Sequence, residues 1–151
     1  MTGARAAAWG AWVAAALAVG GCFSEDRRLW EVELVGTVAA GEGFAGAGTV
    51  HVEVHHARSG EGQLAHPLGL VAAFEVDGPG EVREVVAVPV EEGEGLVIYA
   101  WLDADGDGVL CAPGAAPEPA GALEAIDFPS HEVSFALVLD AACVGAEALY
   151  P

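Results

Sequence analysis

Leu96-Val97-Ile98-Tyr99-Ala100-Trp101-Leu102 is apolar at every position, and it stands among segments that are apolar only at every second one. Side chains on a strand point alternately to its two faces, so an unbroken run of this kind describes a central strand covered on both sides. Its neighbours keep the period of two. Trp30, Val32 and Leu34 alternate with Glu31 and Glu33, and Val50, Val52 and Val54 alternate with His51, Glu53 and His55. Leu68, Leu70, Ala72, Phe74 and Val76 continue the step, as do Val86, Val88 and Val90, and then Val133, Phe135, Leu137 and Leu139. Pro89 has no N–H to give to a ladder, which puts it at a sheet edge or a strand end. Turn formers separate the runs: Gly41-Glu42-Gly43, Ser59-Gly60-Glu61-Gly62, Asp77-Gly78-Pro79-Gly80 and Glu92-Gly93-Glu94-Gly95. Helical periodicity is missing from these segments, and Ala120 to Ile126 is expected to form at most a turn or two. The pattern predicts an all-β, antiparallel β-sandwich of six to seven strands, built as one domain from residues 30–151.

The number and spacing of these strands resemble an immunoglobulin-like or transthyretin-like sandwich, and composition agrees with a single folded unit. The chain has 151 residues, 54% of them hydrophobic, which is one domain's length and far from the composition of a disordered segment. Its 23 acidic side chains face five basic ones, all Arg, for a formal charge of −18. Nothing in such a surface could displace counterions from phosphates, so nucleic-acid binding is excluded.

Residues 1–21 differ from everything that follows. Arg5 is a minimal positive start, Ala6 to Val19 is apolar apart from Gly10, and no further charge appears until Glu25. About fourteen apolar residues are too few to span a bilayer, which takes roughly twenty, but they suit the helical core of a secretory signal. Val19-Gly20-Gly21-Cys22 then resembles the lipobox of bacterial lipoproteins. That resemblance implies cleavage before Cys22 and a diacylglyceryl group on its thiol. It further implies acylation of the new amino terminus and anchoring of the protein to the membrane of the cell envelope. Several acyl chains would hold it far more firmly than a single myristoyl group. Phe23 stands where Asp would mark retention at the inner membrane, so the resemblance favours the outer membrane. Residues 22–29 are then a lipidated Cys and a short tether. The seven residues after Cys22 reach about 25 Å when fully stretched.

Two cysteines remain, Cys111 and Cys143. In an oxidising compartment an even pair is expected to form a disulfide. The strand order supports it, because the chain climbs the central strand, returns, and climbs again before Cys143, bringing both residues to one end of the sandwich.

The densest chemical signal is Asp103-Ala104-Asp105-Gly106-Asp107-Gly108. Carboxylates at alternate positions followed by a turn-making Gly resemble the first half of an EF-hand calcium loop. The resemblance implies calcium ligands at Asp103, Asp105 and Asp107 and a carbonyl ligand at Val109. The twelfth position is Gly114 rather than a bidentate Glu, so Glu118 is the nearest acid that could close the site. A weak structural calcium site, in the range of about 10⁻⁴–10⁻³ M, is one reading. A solvated acidic turn is the other.

Other constellations lack their context. Gly41-Glu42-Gly43-Phe44-Ala45-Gly46 has the spacing of a dinucleotide loop but leads into a strand rather than a helix. His51, Glu53 and His55 share one strand face, which reads as hydrated, although a weak zinc or copper site is the alternative. His51 and His55 are too far apart to share an ion, with roughly 13 Å between their Cα atoms. His56 points to the other face, and His66 is expected in a loop. Ser130 and His131 are sequence neighbours on a strand and make a poor catalytic pair. With no catalytic residues assigned, the expectation is a non-enzymatic envelope lipoprotein that binds an envelope protein or glycan. A purely structural accessory protein without a specific ligand is the alternative, and an enzyme of unrecognised type is a distant one.

Overall fold

The computed structural model describes residues 29–44, 46–60, 63–89 and 94–149. The signal sequence, Cys22 and the tether up to Arg28 lie outside them. Eight strands and one short helix follow in order: β1 Leu29–Ala40, β2 Thr49–Gly60, β3 Gln63–Val76, β4 Gly80–Pro89, β5 Glu94–Asp103, β6 Pro119–Glu124, β7 Glu132–Leu139, β8 Ala141–Ala142 and α1 Ala146–Leu149. They form two sheets, ordered β4-β1-β7 and β3-β2-β5-β6-β8. The sandwich is all-β, as the alternation requires. It has seven strands of ordinary length and one two-residue strand, β8, that pairs only with Pro119 and Ala120 of β6.

The alternating apolar residues face inward and fill the space between the sheets, except at Leu70 of β3. There the register with β2 shifts between Val54 and His55, leaving Leu70 62% exposed and Val71 packed on the core in its place. Val32, Leu34, Val50, Val52, Val54, Leu96, Ile98, Leu102, Val133 and Leu139 are completely buried there. β7 alternates between exposed and buried from end to end. β5 lies third of five strands between β2 and β6 and is buried on both faces from Leu96 to Asp103. Its outward residues Tyr99 and Trp101 join Ala120 in a second, smaller cluster, covered by Leu110 from the following loop and by Ala146 and Leu149 of α1. Pro89 ends β4, an edge strand.

Three features depart from the sequence reading. Ala120 to Glu124, read as capable of a turn or two of helix, belongs to β6 and pairs with Val97–Trp101. His66, read as a loop residue, lies in β3. One strand pair is parallel: β1 runs beside β7 from Glu33↔Glu132 to Ala40↔Leu139, while its other side pairs antiparallel with β4. In the immunoglobulin constant arrangement the first strand shares a sheet with the second, fifth and fourth. Here it shares one with β4 and β7.

Strand direction sorts the loops between two ends. β1, β3, β5 and β7 run one way, while β2, β4 and β6 run back. Leu29, Pro89 and His131 therefore lie at one end. The 41–48 loop, the 77–79 turn, the 104–118 loop and Cys143 lie at the other. A strand the length of β1 separates the ends, about 40 Å at roughly 3.3 Å per residue.

Candidate functional site: the acidic loop and its cystine

The loop that leaves β5 is organised by two buried carboxylates. Asp103, the last residue of β5, is 4% exposed, and Glu118, just before β6, is 1% exposed. Acids are almost never buried without partners, and these two are fully engaged. Asp103 Oδ1 accepts the Gly106 N–H at 2.6 Å, and its Oδ2 accepts the Gly108 N–H at 2.9 Å. Both glycines have left-handed φ, 78° and 73°, which lets the chain curl around the carboxylate. Burial pushes the Asp103 carboxyl up. The amides of Gly108 and Gly106, the His51 side chain and the Asp107 amide together outweigh that and hold it below the usual carboxylate range. The ionised form is thus favoured in the fold. Its contribution is complete above about pH 4 and declines as the pH falls through the lowered value.

Glu118 ties the loop's two ends. Its Oε1 accepts the Ala104 N–H at 3.0 Å and its Oε2 accepts the Cys111 N–H at 2.7 Å. Its main-chain oxygen accepts the Cys143 N–H at 2.9 Å, and its own N–H lies 3.1 Å from Cys111 Sγ. Cys111 and Cys143 form a disulfide, with Cα atoms 5.5 Å apart. Glu118→Gln would leave one of the two buried amides facing an NH2 group. A loss of about 1–3 kcal/mol is expected, measured as a lower urea midpoint against wild type.

Of the four carboxylates proposed as calcium ligands, three are brought together. Single oxygens of Asp103, Asp105 and Glu118 lie within 4.8 Å of one another. Asp107 is not in that group. Its Oδ1 accepts the Val109 N–H at 2.8 Å, and Asp105 Oδ1 accepts the Asp107 N–H at 3.2 Å. The twelve-residue loop pattern is therefore not what assembles the cluster. Glu118 reaches it across the disulfide-bearing turn.

The strand face carrying His51, Glu53 and His55 is less hydrated than expected, because β5 sets Trp101 and Tyr99 beside it, themselves packed under Leu110 and α1. His51 stacks on Trp101 with ring centroids 4.2 Å apart and planes at 9°. Its Nδ1 is 3.3 Å from Glu75 and its Nε2 is 3.7 Å from Asp103. His55 is buried, and its Nε2 lies 2.8 Å from Glu53. Glu53 thus partners His55, and its charge adds to burial in pushing the Tyr99 hydroxyl well above its ordinary value. Tyr99 donates to the Val144 carbonyl at 2.9 Å. Beside His51 runs an open groove of about 520 Å³, bordered by Glu53, Glu75, Phe74, Trp101 and Gly108. His56 points inward, edge-on to Phe128.

Ser130 and His131 do not act on each other. Ser130 Oγ accepts the Glu132 N–H, whereas His131 stacks on Trp30 and has its Nδ1 3.1 Å from the Glu31 carbonyl oxygen.

The sequence pointed to Glu118 only as an ion ligand, not as the acceptor that holds the loop. The available signal was its setting, Pro117-Glu118-Pro119, where flanking prolines keep the backbone extended beside a Cys-bearing turn.

No protein-family model matches the chain, and no curated protein matches it. Among solved structures the chain is similar to an alternative pilotin from the type II secretion system of Vibrio cholerae. The identity is 13% and the TM-score 0.46, over 72% of this chain and 95% of that one.

Proposed function

We propose that this chain is a non-enzymatic lipoprotein of the bacterial envelope. It is held in the outer membrane through Cys22 and presents its cystine-braced, acidic end to another envelope component. The observation that carries the reading is the direction of β1. Leu29 begins the strand seven residues after Cys22, and the 104–118 loop and disulfide sit at the opposite end. An anchored domain of this build holds its most organised loop away from the lipid. Its net negative charge opposes lying flat on an anionic leaflet. Membrane fractionation tests the anchor. The wild-type protein should sediment with membranes and leave them only with detergent, and Cys22→Ser should abolish lipid labelling. Unchanged labelling of the Ser variant would remove the address.

The three oxygens of Asp103, Asp105 and Glu118 support a second element, a weak structural calcium ion in the loop. Three carboxylates supply only part of the six to eight oxygens calcium takes, so carbonyls and water would complete the shell. Millimolar calcium should raise the melting temperature by a few degrees, and Asp105→Ala should erase the rise. Identical melting with calcium and with chelator would leave the loop as an acidic turn held by its own amides. The competing role, a purely structural accessory protein without a partner, is separated from the first by the experiment that follows.

A further inference from the structure

At the end opposite Leu29, the 41–48 loop and the last residues before β6 enclose a recess of about 260 Å³ lined by Gly43, Phe44, Ala104, Ala116, Pro117 and Pro119. Every lining side chain is apolar. The recess is smaller than the roughly 300–1,000 Å³ typical of small-molecule sites, and suits one large side chain. Its surroundings have the opposite character. Glu42 precedes Gly43 and Asp105 follows Ala104, and both are exposed. Exposed Asp140 follows Leu139, whose carbonyl accepts the Gly41 N–H at 2.8 Å. Exposed Asp77 stands in the neighbouring turn of the same end. Among the described residues no Arg lies at this end. Arg83 pairs with Glu33 on the sheet face, and the backbone of Arg58 lies in register with Glu94 at the other end.

We infer that this recess is a docking site for a cationic segment of a partner protein, with one large apolar side chain of that segment seated between Phe44 and Pro117. The acidic rim attracts the flanking Lys or Arg residues and raises the encounter rate, while the apolar floor selects the seated side chain. This deepens the partner-binding reading above and rests on it, but does not depend on the lipid. Phe44 and the two prolines offer a floor with little rotamer entropy left to lose, which favours a preformed site.

The test uses the full mature protein in detergent and an acetylated, amidated probe peptide, Arg-Lys-Phe-Lys-Arg, followed by NMR. The expected result is saturable shift changes at the Ala104 and Ala116 methyls and the Phe44 ring. Affinity should fall at least tenfold when the probe's Phe is replaced by Ser, and severalfold on raising the salt. Ala116→Trp, a change at an exposed loop position, should fill the recess and abolish the shifts at the Ala104 methyl and the Phe44 ring with an unchanged circular dichroism spectrum. Phe44→Ala should also weaken binding at least tenfold, so the test does not rest on one variant. Equal affinity for the Phe and Ser probes, or shifts spread over the whole acidic surface, would overturn the inference as charge attraction alone. Shifts at the recess produced by a neutral glycan and not by the peptide would overturn it too. A negative result beside intact lipidation of Cys22 would sink the recess and leave the anchor standing.

Discussion

Reducing the Cys111–Cys143 disulfide should lower the unfolding free energy by about 3–4 kcal/mol. The two residues are 32 apart in sequence, and in the chain-entropy model a cross-link closing a loop of that size removes this much freedom from the unfolded chain. A domain of this size has about 5–15 kcal/mol in total, so the loss is a large share of it. The effect should also be local in the folded state. Both cysteines hold left-handed backbones, φ 51° and 56°, a conformation unfavourable for any residue but Gly. With the bridge gone, Glu118 alone holds them, through the Cys111 and Cys143 amides. Urea unfolding of the double variant Cys111→Ser/Cys143→Ser, against oxidised wild type, measures the first effect. Faster amide exchange at Cys111 and Ala104, with β1 and β4 unchanged, measures the second. A midpoint unchanged within error would mean that the bridge contributes nothing.

Gly36→Ala and Gly121→Ala should each destabilise the fold by about 3 kcal/mol, well beyond the ordinary effect of adding a methyl group. A Cβ at Gly36 would lie 2.3 Å from the Phe135 carbonyl oxygen and 2.5 Å from its ring, which occupies the space a side chain on β1 would fill. A Cβ at Gly121 would lie 2.3 Å from the Val138 carbonyl oxygen. Gly121 is on β6 and Val138 on β7, strands of different sheets. That glycine is where the sandwich closes, and neither clash can be relieved by turning a flexible side chain. Gly46→Ala is the control, since a Cβ there meets nothing within 4 Å and should change stability little. Thermal melts of the three variants would contradict the account if all moved alike.

Most of the sheet was legible because strand burial is written into alternate residues. Val32 and Leu34, Val50 to Val54, and Val133 to Leu139 could bury one face in only one register. Leu96–Leu102 had to be covered twice, and the cover proved to be α1 and Leu110. β6 was not legible. Its Pro-Ala-Gly-Ala-Leu-Glu has no β-branched residue, and it is a strand because its neighbours need a partner there. The parallel pairing of β1 with β7 joins residues about a hundred apart, and no local pattern encodes it. At the site, the cystine and the cluster of Asp103, Asp105 and Glu118 were anticipated. The separation of Asp107 was not, because carboxylate spacing gives no sign of which oxygens the backbone amides will take. The half-covered His51 face was missed for a related reason. Its cover is Trp101 on the neighbouring strand, fifty residues away in sequence, and a strand read alone looks wet.

The central claim is that Cys22 carries lipid and holds the folded domain at one end. The most direct measurement is the intact mass of the native protein extracted from membranes, with fragmentation of its first residues. The account predicts a chain starting at Cys22, heavier than its sequence by a diacylglyceryl group and an amide-linked acyl chain. A chain still starting at Met1, with an unmodified thiol at Cys22, would contradict it.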